Sequence, residues 1–344
     1  MPGQSAEFDL ELQRLPLVTL YLTERCNSRC ITCDYWRHGR ADLDLAQIER
    51  LRPSLRALQT QVVLISGGEP LMNPHWMEIA QRLRSDGLQL WLLTSGLSLM
   101  KHADRAAQLF QAITVSLDGT NRETYAAIRG LDAFDRVLAG IRAAADAGAR
   151  VSVRVTLQRA NYRQLPDFVE VARRAGAQQI SFLAVDVANA HAFARQDGCS
   201  TDLSLHPEDL APLAQILSSM ERDFVADFDS GFIAESPRRL WQIHQYFSAV
   251  CALDAYPPVR CNVPEYSAVI SATGRVSPCF FIPGPLAARE DELQAALNSH
   301  SMLALRREIR AGARPECTRC VCSLWREPDA RAPSDFLLRR RANA

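Results

Sequence analysis

Three cysteines, Cys26, Cys30 and Cys33, fall within Thr23 to Trp36 (TERCNSRCITCDYW), with three and then two residues between them. Tetrahedral zinc wants four ligands, and a local run of three leaves one position open. Three soft thiolates on one short loop suit a cubane iron–sulfur cluster whose fourth iron has no protein ligand. A zinc knuckle or a chance cluster is the plainer reading, and the spacing alone leaves it open. A second group comprises Cys261, Cys279, Cys317 and Cys320. Cys261 precedes a short strand at 268–271, a turn at Ala272-Thr273-Gly274-Arg275 and a second strand ending at Cys279. A glycine between two short apolar runs marks a hairpin, which would bring Cys261 and Cys279 together. A helix over 290–310 and the C-x-x-C of Cys317 and Cys320 then complete a closed four-thiolate site, suited to a zinc ribbon or an iron–sulfur cluster alike. Cys322 is the spare: it replaces Cys320, lies outside the cluster, or contributes a thiol hydrogen.

The rest of the chain must position these groups. After a first apolar strand (Leu17, Val18, Leu20, Leu22), apolar residues at helical spacing predict a helix over 44–58, and 61–65 reads as a strand buried on both faces. The alternation repeats, with helices 75–85, 99–109, 132–147 and 162–174 and strands 88–93, 112–117, 151–157 and 179–185. Six strands each followed by a helix indicate a parallel sheet with right-handed crossovers. Working residues in such folds stand at the C-terminal strand ends. Those ends carry Ser66-Gly67-Gly68-Glu69-Pro70, Thr94-Ser95-Gly96 and Ser116-Leu117-Asp118-Gly119. Paired glycines let backbone approach a ligand, and Asp118 either faces substrate or caps a helix over 121–129. Arg154 lies inside a valine strand and needs a partner, a ligand carboxylate or an internal acid, because a lone buried charge is costly. Residues 186–255 are helical in pieces, with Pro207 at a helix start. His191, His206 and His244 are given no role, and Cys199 and Cys251 read first as small buried apolar residues, with hydrogen donation left open.

The cysteine spacing after a first strand, followed by Gly67-Gly68-Glu69-Pro70 after a second, resembles the radical SAM superfamily. The hairpin with its C-x-x-C turn resembles the shortened SPASM domain called twitch. The resemblance implies an α/β fold: a partial (β/α)6 TIM barrel over 14–200, a helical bridge over 201–255, a small C-terminal α+β cluster domain over 256–328 and a tail over 329–344. It implies that the free iron of a 4Fe–4S cluster on Cys26, Cys30 and Cys33 chelates S-adenosylmethionine, whose reductive cleavage gives a deoxyadenosyl radical. Gly67, Gly68 and Glu69 would engage the cofactor's amino group, Ser95 would mark the small polar turn beside it, Ser116 would meet the ribose or carboxylate, and Arg154 the carboxylate. Thr32 stands where the family usually has an aromatic, so Tyr35 and Trp36 would cover the adenine, with Ile180, Phe182 and Leu183 on the sixth strand. No cysteine follows Cys322, so one auxiliary 4Fe–4S cluster on Cys261, Cys279, Cys317 and Cys320 is expected.

Zero formal net charge gives no field for nucleic acid or membrane. The sequence shows no charged-then-apolar leader and no apolar run of membrane length, and its cysteines cluster as metal ligands do in a reducing compartment. A cytoplasmic enzyme fed by a flavodoxin or ferredoxin is expected. Twitch relatives include aminocyclitol, sugar and nucleoside enzymes of natural-product biosynthesis. The leading expectation is therefore hydrogen abstraction from a small polar metabolite, leading to dehydrogenation, dehydration, decarboxylation or epimerisation in an oxidoreductase or lyase. Weaker alternatives are a maturase of a ribosomal peptide, which would usually carry a leader-binding module where only sixteen residues precede the first strand, and a non-catalytic iron–sulfur or zinc scaffold. The C-terminal Arg-Ala-Asn-Ala lacks the diglycine expected of a molybdopterin enzyme.

Overall fold

The computed structural model describes residues 10–189, 191–195, 201–285 and 292–327. Strands β1 (Leu17–Thr23), β2 (Val62–Gly67), β3 (Gln89–Thr94), β4 (Ala112–Ser116), β5 (Val151–Leu157) and β6 (Gln179–Ala184) pair in parallel in chain order. Helices α1 (Leu45–Ala57), α2 (Trp76–Ser85), α3 (Leu99–Leu109), α4 (Arg122–Arg129), α5 (Phe134–Asp146) and α6 (Leu165–Arg174) connect them. The start of α1 is set by a capping box, Asp44 Oδ1 accepting from Gln47 N (2.7 Å) while Gln47 Oε1 accepts from Asp44 N (2.9 Å). None of the described helices is long and apolar enough to cross a membrane.

Strand alternation sorts the side chains. On β5, Val151, Val153 and Val155 are fully buried in the main core with the helices. Ser152, Arg154 and Thr156 therefore turn to the inner face, because successive residues point to opposite sides. Register carries that face across the sheet: Thr114 pairs with Ser152, Ser116 with Arg154, Arg154 with Ser181 and Thr156 with Leu183. At the N-terminal end the inner face is plugged by a separate apolar cluster of Val62, Trp91 and Ala112 with Leu17 and Leu64. Polarity is left for the C-terminal half.

The cysteine hairpin, β7 (Ser267–Ile270) and β8 (Val276–Ser277), is antiparallel as expected and also extends the barrel sheet, with β7 parallel to β1 in the order β6-β5-β4-β3-β2-β1-β7-β8. One expectation is corrected. The single helix over 290–310 is two helices, α9 (Leu293–Leu297) and α10 (His300–Arg310), and residues 290 and 291 lie outside the described residues. Ser299 caps α10 through Met302 N (3.4 Å), while Asn298 leaves the helix to pair with Leu12 N (2.8 Å) and Leu12 O (3.0 Å). The bridge contains α7 (Pro207–Asp223) and α8 (Pro237–Val250). Cys199 and the tail over 329–344 lie outside the described residues.

Candidate active site

The three-cysteine loop follows β1 and is held from two sides. From one side, Arg29 N donates to Arg129 O (3.0 Å) and Ile31 N to Ile128 O (3.0 Å), so the last carbonyls of α4 receive loop N–H groups. Gly130, in the left-handed region at φ +74°, ends α4 against the loop; a Cβ there would stand 2.3 Å from Arg29 O. From the other side, Gly68 N donates to Thr23 O and Glu69 N to Arg25 O, both at 2.8 Å. A Cβ at Gly68 would lie 2.2 Å from Arg25 O. The glycine pair thus allows backbone to lie on backbone.

Several residues take other positions than the sequence suggested. Glu69 is wholly buried, and its carboxylate accepts from Leu71 N (3.2 Å), Thr94 Oγ1 (2.8 Å) and Ser95 N (2.7 Å). Its side chain ties β2 to β3, and the Gly67-Gly68 backbone is what the second strand brings to the loop. Asp118 neither caps α4 nor faces an open cavity. Asn121 is the cap, accepting from Thr124 N (2.9 Å), while Asp118 pairs with Arg129 (3.0 Å) and accepts from Thr156 N (2.8 Å). Phe182 pairs with Val155 and shares its helix-facing side, opposite Arg154 and Ser181, so β6 offers Leu183 to the interior and not Phe182. Ile180 pairs with Val153 and shares that outer side, as the alternation of Gln179 and Ser181 with Ile180 and Phe182 would have shown.

Other predicted residues do come together. Ser116 and Arg154 are cross-strand neighbours on the inner face. Arg154 Nε donates to Ser181 Oγ (2.9 Å), and among the described residues Arg154 makes no ion pair. Burial lowers its pKa, opposed by the nearby Cys322 thiol. Ser95 reaches the loop through Asn27 Oδ1 (3.3 Å), and Trp36 Nε1 donates to Cys30 O (3.4 Å). Tyr35 meets Tyr21 edge to face at 6.2 Å, and Tyr21 meets Phe280 at 5.7 Å. Tyr21, which the sequence reading missed, therefore stands between the two cysteine regions, its pKa raised by burial and by Tyr35, Cys33 and Cys279.

The loop thiols are half-buried: burial pushes Cys26 up to about 11 and Cys33 up to about 12, and raises Cys30 against the pull of Arg129. In the second region Cys279 rises to about 12 and Cys317 to about 11, burial first and then mutual repulsion with Cys261. Cys320 rises for the same reasons, with Cys322 the largest of its thiol neighbours. Asn262 N donates to Leu324 O (3.1 Å), joining the hairpin's start to the end of the C-x-x-C segment. Cys322 is half-buried, and burial raises its pKa against the guanidiniums of Arg154 and Arg239. Among the described residues no three Cys, His, Asp or Glu side chains converge on a single-ion site; half-buried soft thiols in a group of three and a group of four or five suit the wider spacing of thiolate-held iron–sulfur clusters instead.

Described residues after β6 bond to both cysteine regions and are termed the strap. From the end of β6, Asn189 Nδ2 donates to Phe281 O (2.8 Å) after β8. Phe193 O accepts from Asp34 N (2.8 Å), and Arg195 donates twice to Thr32 O (3.1 and 2.9 Å). The sheet edges β6 and β8 are thereby linked above the loop.

Residues 20–172 match the radical SAM superfamily, and residues 261–321 match SPASM, an iron–sulfur cluster-binding domain. The chain is 32% identical over 165 residues to a probable GTP 3′,8-cyclase of Methanothermobacter thermautotrophicus, covering 46% of this chain and 54% of that protein. It is 31% identical over 184 residues to the mycofactocin maturase MftC of Mycobacterium tuberculosis, covering 52% and 46%. The chain thus spans about half the length of these curated relatives. Streptococcus suis SuiB bound to S-adenosylmethionine superimposes with a TM-score of 0.65 over 93% of this chain and 75% of that one, at 13% identity, a likeness of fold.

Proposed function

Because the chain is a radical SAM protein with a C-terminal SPASM/twitch-type domain, we propose that it uses S-adenosylmethionine to abstract a carbon-bound hydrogen from a small polar metabolite held inside the barrel. The family's 4Fe–4S cluster supplies the electron that cleaves the cofactor, and the SPASM domain holds auxiliary iron–sulfur. Cys26, Cys30 and Cys33 would hold the first cluster, and Cys261, Cys279, Cys317 and Cys320 a single second one. Arg154 carries the reading: a half-buried, inward-facing guanidinium with no carboxylate among the described residues, beside Ser116. A bidentate fork of this kind matches the carboxylate of the cofactor's methionine part. Gly67-Gly68 backbone, Ser95, Tyr35 and Trp36 would complete the cradle.

The bonds from Asn189 to Phe281 and from Arg195 to Thr32, which link the two sheet edges, support a compact substrate such as a sugar, aminocyclitol or nucleoside as the first reading. Likeness to MftC and to SuiB, whose solved complexes include its precursor peptide, supports a peptide as the second reading. A small acidic electron carrier of the flavodoxin or ferredoxin kind and a reducing, cytoplasmic setting go with either.

The test is anaerobic. The reconstituted protein with dithionite should convert S-adenosylmethionine to 5′-deoxyadenosine, and the Cys30→Ala variant should not; equal yields from both would sink the reading. Panels of deuterated aminocyclitols and nucleosides, and of deuterated peptides, are then compared for deuterium in the 5′-deoxyadenosine. Label arriving only from peptides would replace the small-metabolite reading with the maturase one.

A further inference from the structure

Beneath the three-cysteine loop lies a group of buried polar atoms that the cofactor cradle does not use. Ser28 is 1%, Tyr125 0% and Arg129 8% exposed. Ser28 Oγ, Tyr125 Oη and Arg129 Nε are each buried with no hydrogen-bond partner. Buried donors left unpaired are costly, so three in one place call for an acceptor. Ser28 stands on the loop two residues before Cys30, Arg129 O receives Arg29 N (3.0 Å) next to Cys30, and Tyr125 lies one turn before Arg129 on α4.

The supports of this group are rigid. Arg129 Nη1 pairs with Asp118 Oδ2 at 3.0 Å, Asp118 is fixed by Thr156 N, and the Arg129 carbonyl receives Arg29 N. The Tyr125 ring packs on Phe134 with centroids 6.2 Å apart. Asp118 takes Nη1 and leaves Nε without a partner. The other titratable groups beside Cys30 and Arg129 are Asp118, Tyr125, Cys26 and Cys33.

We propose that Ser28, Tyr125 and Arg129 are positioning residues that donate to the sulfur atoms at the Cys30 corner of the cluster and make that cluster easier to reduce. Hydrogen bonds and positive charge at the sulfurs stabilise the reduced, more negative state, which raises the reduction potential. The inference deepens the proposed function and rests on its assignment of a cluster to Cys26, Cys30 and Cys33.

The experiment is an EPR-monitored potentiometric titration of full-length reconstituted protein, following the signal that changes on adding S-adenosylmethionine. The variants Tyr125→Phe and Ser28→Ala keep shape and remove one donor each. Each should retain wild-type iron content and shift the midpoint to more negative potential, the double variant further than either. Unchanged potentials in both single variants overturn the proposal, and so does loss of iron from both, because a tuning contact does not hold the metal. A wild type with no signal responsive to S-adenosylmethionine would instead fail the cluster assignment, which keeps the two failures apart.

Discussion

Cys26, Cys30 and Cys33 sit on eight residues of one loop whose backbone is bonded to α4 on one side and to the end of β2 on the other. Cys261, Cys279, Cys317 and Cys320 come instead from three separated pieces: the approach to a hairpin, its exit, and a one-turn helix at Pro315–Thr318. The first region takes its shape from protein hydrogen bonds and from close glycine contacts, so its geometry exists before any iron arrives. The second has a two-residue strand β8, and its buried apolar residues, among them Ala268, Ile270, Val276, Leu293, Leu297 and Met302, pack into the barrel's core rather than into one of their own. There, ligand bonds must supply part of the folding energy, as in small metal-dependent domains. One centre is placed by the fold and the other helps to make it.

The largest effects separate the two directly. Changing Cys26, Cys30 and Cys33 together to alanine should abolish cleavage of S-adenosylmethionine and lower iron from about eight to about four per chain, as two complete cubanes require, with near-wild-type circular dichroism. A variant that unfolds would show that the loop depends on its metal after all. Changing Cys317 and Cys320 to alanine should do the reverse. Limited proteolysis should then cut within residues 256–327 and melting should begin several degrees earlier, roughly what loss of a structural metal site costs a small domain, while uncoupled formation of 5′-deoxyadenosine continues. Unchanged protease resistance would mean that the hairpin's place beside β1 suffices to hold the region.

The same contrast explains what the sequence made legible. Six strands could be read because each is a compact apolar run between helical patterns, and the inner and outer faces of β5 because valine alternates with Ser152, Arg154 and Thr156. The pairing of β7 with β1 could not, since it joins residues about 250 positions apart and no local pattern encodes which edge a hairpin will choose. Phe182 could have been placed outward from the alternation of Gln179 and Ser181 with Ile180 and Phe182. Glu69 reads as a ligand group, and Asp118 as a substrate contact or a helix cap, because their types and positions fit those tasks; only the geometry shows that Thr94, Ser95 and Arg129 already occupy them. Tyr21 and the strap at Asn189 to Arg195 carry no motif, and their importance lies in what they span.

Two smaller predictions sharpen the claim that the barrel side is pre-built. Arg154→Ala should weaken binding of S-adenosylmethionine on the order of 10- to 100-fold, the usual result of removing a charged partner from a carboxylate, with iron content and melting temperature held. Arg154→Lys should recover part of the loss, because lysine keeps the charge without the fork. Equal affinity in all three proteins would move the carboxylate elsewhere. Gly130→Ala tests the loop's footing. An alanine at φ +74° is strained, and its Cβ would meet Arg29 O, so α4 must draw back from the loop. A stability loss of roughly 1–3 kcal/mol is expected from the forced conformation, with the Arg29 and Ile31 amides exchanging faster with solvent. Those amides are where the comparison is decided. If they lose protection while the protein without its three loop cysteines keeps theirs, the loop is held by α4 rather than by its metal.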